Sequence, residues 1–190
     1  MINLDYNQRD YCYIPQVLSL EDINFLKNFI SENPNFTKND GSFIPEDVNP
    51  NVYRKVWEVP LNSKFKSIYK KIYKSSKKAN ESFGFDLEFL PYINFVKYTS
   101  YGKTGLDWHM DIGPKPYNQR KLSFSVMLSN ENNYEGGDLE LMIDSKIIEK
   151  CPKQIGSIIF FPSFIMHRIT PVIQGERDVL VGFFSGKPYK

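Results

Sequence analysis

The chain contains two histidines, His109 and His167, and the first is followed two residues later by a carboxylate, Asp111, in the run Leu106-Asp107-Trp108-His109-Met110-Asp111. Two imidazoles and one carboxylate are the donor set of the facial triad that binds non-haem iron(II) and leaves positions open for other ligands. The spacing has a geometric consequence. In an extended segment residues two apart project to the same face, so His109 and Asp111 converge on one point. Alone, a His-x-Asp pair is a weak signal, because single histidines commonly serve as hydrogen-bonded core or surface residues.

Arg177 strengthens it. It follows the turn Gln174-Gly175-Glu176 and leads the run Asp178 to Phe184, so strand parity puts it on one face with Val179, Val181 and Phe183. A guanidinium on an otherwise apolar inward face needs an anionic partner, and a carboxylate held by both prongs suits it. The competing reading is an ion pair with Glu176 or Asp178 at an exposed strand end. A metal with three protein ligands has room for a chelating acid, and an acid whose far carboxylate reaches Arg177 describes 2-oxoglutarate.

These residues have to be positioned by a scaffold, and the sequence divides into two textures. Ser19-Leu20-Glu21-Asp22 reads as a capping box, followed by Ile23, Leu26, Phe29 and Ile30 at helical spacing up to Asn33-Pro34. A second helix is expected over Ser63 to Phe83, with Phe65, Ile68, Tyr69, Ile72, Tyr73 and Ala79 on one face and Gly84 as its stop. Its lysines, among them Lys70, Lys71, Lys74, Lys77 and Lys78, read as a solvated helix face rather than a nucleic-acid patch.

From Leu87 on, short apolar runs alternate with turn residues. Strands are expected at Leu87 to Thr99, Leu122 to Leu128, Leu139 to Ile143, Ile155 to Phe161 and Val179 to Phe184. The expected arrangement is one folding domain: residues 1–86 form a helical flank with connecting loops, and residues 87–190 form a mostly β core, a sandwich or barrel. Residues 35–56 read as an irregular loop that could cover a site. Gly136-Gly137 reads as a turn that also permits close backbone approach.

Composition narrows the partners. A formal charge of +2 argues against nucleic acid, and no apolar run reaches spanning length, so no membrane is expected. Cys12 and Cys151 lack metal-ligand spacing and read as reduced thiols, with a single disulfide as the alternative. The polar first ten residues do not read as a signal peptide, so the expected location is cytoplasmic.

The ordered blocks resemble a known family. They are Asp107 to Asp111, Arg120 to Ser129, Tyr134-Glu135-Gly136-Gly137-Asp138-Leu139-Glu140-Leu141, Phe161 to Val172 and Gly175-Glu176-Arg177. Together, over residues 90–186, they resemble the 2-oxoglutarate/iron(II)-dependent oxygenases, in the prolyl 4-hydroxylase-like branch. The resemblance implies a double-stranded β-helix (jelly-roll) core, with His109, Asp111 and His167 as iron(II) ligands and catalytic residues. It implies Arg177 as the residue holding the distal carboxylate of 2-oxoglutarate, with O2 as cosubstrate and ascorbate as an accessory.

The family often adds a tyrosine upstream of the first ligand; here Tyr98 and Tyr101 are both candidates, with Tyr98 preferred. The second cosubstrate tyrosine of the hypoxia-sensing members is replaced by Met127. Ser123, Ser125 and Met127 share a strand face that would line the pocket, and Ser125 and Val179, the latter on the Arg177 face, are expected with Arg177 and the tyrosines to bind the cosubstrate. The implied reaction is hydroxylation of peptidyl proline to 4-hydroxyproline, coupled to decarboxylation of 2-oxoglutarate to succinate. A lid closing over substrate would come from residues 35–56 or 113–119. Alternatives are an oxygenase acting on another amino-acid residue, a free amino acid or a small metabolite, and, in another class, an inactive binding or scaffold domain.

Overall fold

The structure is a computed structural model that describes residues 10–34, 54–144 and 147–189, with the side chains of residues 89–92 outside the description. In chain order its elements are β1 (Cys12–Ile14), α1 (Leu20–Glu32), β2 (Lys55–Glu58), α2 (Lys66–Phe83), β3 (Phe89–Thr99), β4 (Leu106–His109), β5 (Arg120–Met127), β6 (Tyr134–Gly136), β7 (Leu139–Asp144), β8 (Ile147–Lys150), β9 (Ile158–Pro162), β10 (His167–Ile169) and β11 (Val172–Ser185). Short 3-10 turns cover Ser63–Phe65, Tyr117–Gln119 and Glu131–Asn133.

The strands form two antiparallel sheets. The larger runs β1-β9-β5-β11-β3-β2, with β6 paired to the first part of β11; the smaller runs β4-β10-β7-β8. The spacing of apolar runs and turns points to a sandwich or barrel, and the arrangement is the jelly roll that the family resemblance implies. Strand alternation gives the large sheet two buried faces. Ile93, Phe95, Phe124, Phe160, Leu180 and Phe184 point to one side and pack on Ile23, Leu26, Phe65, Ile68 and Ile72 of the helical layer. Val96, Tyr98, Met127, Ile159, Phe161 and Val179 point to the other, toward Leu139, Leu141 and Ile169 of the small sheet.

Both helices form for the reasons read from their sequences. Ser19 Oγ accepts from the Asp22 N–H while the Asp22 carboxylate accepts from the Ser19 N–H, closing the capping box. Lys66–Phe83 ends at Gly84, whose φ of +67° is the left-handed conformation that glycine adopts without strain. Lys71 pairs with Asp22 and ties the two helices together.

Three expectations change. Lys55 and Val56, read as loop, belong to edge strand β2, where Val56 opposes Val96, and Arg54 leads into it; residues 35–53 of that loop lie outside the described residues. The last strand begins at Val172 rather than Val179 and continues through Gly175. The supposed turn is an irregularity in one long strand, which Gly175 accommodates at a φ of +74°. The Ile155 to Phe161 strand begins only at Ile158. Both cysteines are free, and burial, with Glu149 nearby, pushes the Cys151 thiol up to about 12. No helix among the described residues is long and apolar enough to cross a membrane.

Candidate metal and cosubstrate site

β4 and β10 are antiparallel neighbours in the small sheet, and His109 stands directly opposite His167. Their ring centroids are 4.2 Å apart. Asp111 lies just beyond β4, where the Asp111 and Ile112 amides both donate to the Ser163 carbonyl at 3.0 and 3.2 Å. That turn swings the carboxylate between the imidazoles, placing it 3.7 Å from His109 Nε2 and 3.5 Å from His167 Nε2. The three ligand atoms lie within 4.8 Å of one another, a grouping able to hold one metal ion.

The surroundings prepare these donors. His109 Nδ1 lies 2.7 Å from the Asp107 carbonyl and His167 Nδ1 2.9 Å from the Ile165 carbonyl. Each carbonyl can only accept, so Nδ1 carries the proton and the Nε2 lone pair faces the shared point. Burial pushes the His167 imidazole below its ordinary value, opposed in part by the Asp111 carboxylate, and so favours the neutral ligating form. Ser123 donates to Asp111 Oδ2 at 2.6 Å and is itself 2.9 Å from Ser163 Oγ.

Arg177 lies opposite Tyr98 of β3 and is 1% exposed. Its Nη2 meets Met127 Sδ at 3.8 Å, while Nε and Nη1 are buried without a hydrogen-bond partner among the described residues. The carboxylates of the competing reading are engaged elsewhere: Glu176 with Lys97 at 2.7 Å, and Asp178 with Lys27 at 3.0 Å. A buried cation with unused donors is costly unless an anion completes it.

A cavity of about 830 Å³ opens between the sheets and is lined by His109, Asp111, His167, Tyr98, Asn94 and Ser125, among others. The sequence candidates fall into place unevenly. Tyr98 lines the cavity, with the Arg177 guanidinium 5.2 Å from its ring centroid. Tyr101, by contrast, is 67% exposed in the turn after β3, because its neighbours Gly102 and Lys103 reverse the chain there. Ser125 lines the cavity, whereas Val179 is fully buried in the row between Arg177 and Val181, opposite Met127. Of the two lid candidates, Gly113 and Tyr117 line the cavity, as do Arg54 and Val56 beside the undescribed loop.

Several contributors escaped the sequence reading. Asn94 sits in an apolar run that reads as plain core. Tyr134 neighbours Arg177; its hydroxyl is pushed up by burial and drawn back by the arginine's charge. Gly137 was legible as a site of close approach: a Cβ there would lie 2.8 Å from Arg177 Cδ.

Comparison with known proteins agrees with this geometry. Residues 95–185 match the family model of the 2OG-Fe(II) oxygenase superfamily. A PKHD-type hydroxylase of Synechococcus sp. (strain CC9605) is 36% identical over 78 residues, 41% of this chain and 35% of that protein. Another, of Hyphomonas neptunium, is 44% identical over 64 residues, 34% of this chain and 28% of that one. The chain thus spans about a third of the length of the relatives it matches.

Among solved structures, a Pseudomonas putida prolyl-4-hydroxylase superposes with a TM-score of 0.71 at 15% identity, covering 94% of this chain and 93% of that one. A prolyl hydroxylase from Trichoplax adhaerens, in complex with a hypoxia inducible factor peptide fragment, gives 0.67 at 12% identity and covers 93% and 84%. At such identities these two show the fold alone. Residues 95–185 are thus similar to the 2OG-Fe(II) oxygenase superfamily, and the chain shares the fold of the solved prolyl hydroxylases.

Proposed function

We propose that the protein is a 2-oxoglutarate- and iron(II)-dependent dioxygenase that hydroxylates peptidyl proline. The observation that carries this reading is the buried Arg177 guanidinium with two donor nitrogens unused, beside a cavity that also holds His109, Asp111 and His167. In this reading iron(II) is held by Nε2 of His109, Nε2 of His167 and an Asp111 carboxylate oxygen. Arg177 takes the distal carboxylate of 2-oxoglutarate, and Tyr98, which lines the cavity in front of it, meets that ligand first.

Bound iron(II) with 2-oxoglutarate and O2 supplies the oxidising power to place one oxygen atom into a C–H bond and the other into succinate, with loss of carbon dioxide. The chain's own residues orient and exclude. The Asp107 and Ile165 carbonyls hold both imidazoles in the ligating tautomer, and Ser123 holds the carboxylate. Val96, Leu139, Phe161 and Val181 supply an apolar part of the lining, which disfavours water beside the metal ligands.

Peptidyl proline as substrate is supported by the cavity mouth. Exposed Met110 and Tyr117 and the ring of Phe183, over which Arg120 stacks at 3.7 Å, offer apolar contact to a pyrrolidine ring. The peptide complex of the Trichoplax prolyl hydroxylase supports the same substrate class. The test is mass spectrometry of proline-rich peptides incubated with the protein, iron(II), 2-oxoglutarate and ascorbate. The expected result is one added oxygen on proline with a matching amount of succinate. Succinate without peptide hydroxylation would move the assignment to another amino-acid residue, a free amino acid or a small metabolite; no succinate would remove the dioxygenase reading itself.

A further inference from the structure

The inner face of the large sheet is laid out in cross-strand rows, and their chemistry alternates. Tyr98 and Arg177 form the first row, and Val96, Val179 and Met127 the second. Asn94, Val181 and Ser125 form the third, while Phe183, Ser123 and Phe161 form the fourth. The first row holds the buried cation. The fourth holds Ser123, whose hydroxyl is bonded to Asp111 at the metal point. The second row, lying between, is wholly apolar.

The third row is the anomaly. Asn94 and Ser125 flank Val181 from the two neighbouring strands, and both line the cavity. They are 9% and 4% exposed, and neither Asn94 Oδ1 nor Ser125 Oγ has a hydrogen-bond partner among the described residues. Two polar groups aimed into one cavity from opposite sides, both unpaired, carry a desolvation cost that a ligand between them would relieve. A half-turn of the asparagine amide exchanges its oxygen for its N–H donors, and the serine hydroxyl can donate as it stands.

Resting on the cosubstrate reading above, we propose that Asn94 and Ser125 are positioning residues that hold the keto-acid end of 2-oxoglutarate. The row order follows the order of groups along that molecule, with the long arginine side chain covering the strand length that the short carbon chain does not. A distal carboxylate belongs on Arg177, two methylenes beside Val96, the member of the second row that lines the cavity, and the oxo and carboxylate groups at the Asn94–Ser125 row. The pair offers unpaired polar groups where the second row is apolar and the Ser123 hydroxyl of the fourth is committed to Asp111, so it would favour a 2-oxo acid over a dicarboxylate of equal length lacking the oxo group.

Calorimetric titration of 2-oxoglutarate into the Mn(II)-loaded full chain tests this without turnover. Asn94→Leu and Ser125→Ala should each weaken 2-oxoglutarate binding about tenfold, the loss of one hydrogen bond to a charged group. Asn94→Asp should weaken it further through like-charge repulsion. Mn(II) affinity should stay within about twofold of wild type, which separates positioning of the acid from damage to the metal site. Ser125→Ala removes a single oxygen atom and carries the test alone if an Asn94 variant does not fold. Unchanged 2-oxoglutarate affinity in the variants would overturn the pair's role while leaving the cosubstrate reading intact, and so would an equal loss of Mn(II). Failure of Mn(II)-loaded wild type to bind 2-oxoglutarate would overturn both.

Discussion

At the scale of single residues, the His109–Asp111–His167 cluster is braced by one hydroxyl that the spacing of the three does not reveal. Ser123 fixes Asp111 Oδ2 at 2.6 Å and is braced by Ser163. Partners of this kind typically contribute ten- to a hundredfold to metal affinity. Ser123→Ala is therefore expected to weaken Fe(II) or Mn(II) binding about tenfold in a metal titration, with unaltered folding by circular dichroism.

Arg177 makes a prediction with two opposite signs. Its unused donors are destabilising in the unliganded protein and stabilising once a carboxylate arrives. Arg177→Met should raise the thermal midpoint of the unliganded protein and reduce 2-oxoglutarate affinity by about 2 kcal/mol, roughly thirtyfold. Differential scanning fluorimetry and calorimetry read the two effects separately; a lower midpoint with normal affinity would show Arg177 to be a structural ion.

At the scale of elements, the turn that brings Gly137 against Arg177 is clamped by Asp138. Its carboxylate meets Lys150 at 2.7 Å and Lys153 at 2.8 Å, and its backbone exchanges hydrogen bonds with Thr170. Burial alone would push the Asp138 carboxyl up, but the two lysines outweigh it and hold it below its ordinary value. A carboxylate whose folded value is depressed stabilises the fold above its unfolded value, near 3.8, and loses that contribution as pH falls through the folded value. Asp138→Asn should therefore lower the thermal midpoint at neutral pH, with the gap to wild type narrowing below about pH 4. A gap independent of pH would mean the clamp is not electrostatic.

Elements also differ in how legible they were. The Ser19–Asp22 box and Gly84 mark helix ends through local hydrogen bonding and backbone conformation, so both are written in neighbouring residues. Strand β2 has just Val56 and Trp57 as an apolar signal and owes its existence to pairing with β3, far along the chain. The first part of β11 was hidden because Gly175 reads as a turn, while in the structure it bends a strand without ending it.

At the scale of the whole molecule, the two sheets bring together groups that are distant in sequence. His109 and His167 meet across β4 and β10 of the small sheet, and Arg177 is buried on the large one opposite Tyr98, which lines the same cavity as the histidines. The clustering of His109, Asp111 and His167 was legible because histidine is rare here and because His-x-Asp has a geometric meaning. Asn94 was not, since an amide within an apolar run reveals its orientation only when β3, β11 and β5 are aligned.

The central claim is that one cavity holds iron(II) and 2-oxoglutarate together. The most direct measurement is the visible spectrum recorded anaerobically as iron(II) and 2-oxoglutarate are added to the protein. A charge-transfer band that saturates with both components, and is lost in Asp111→Ala, is the predicted result. A wild-type protein that binds neither component, or shows no band with both present, would contradict it.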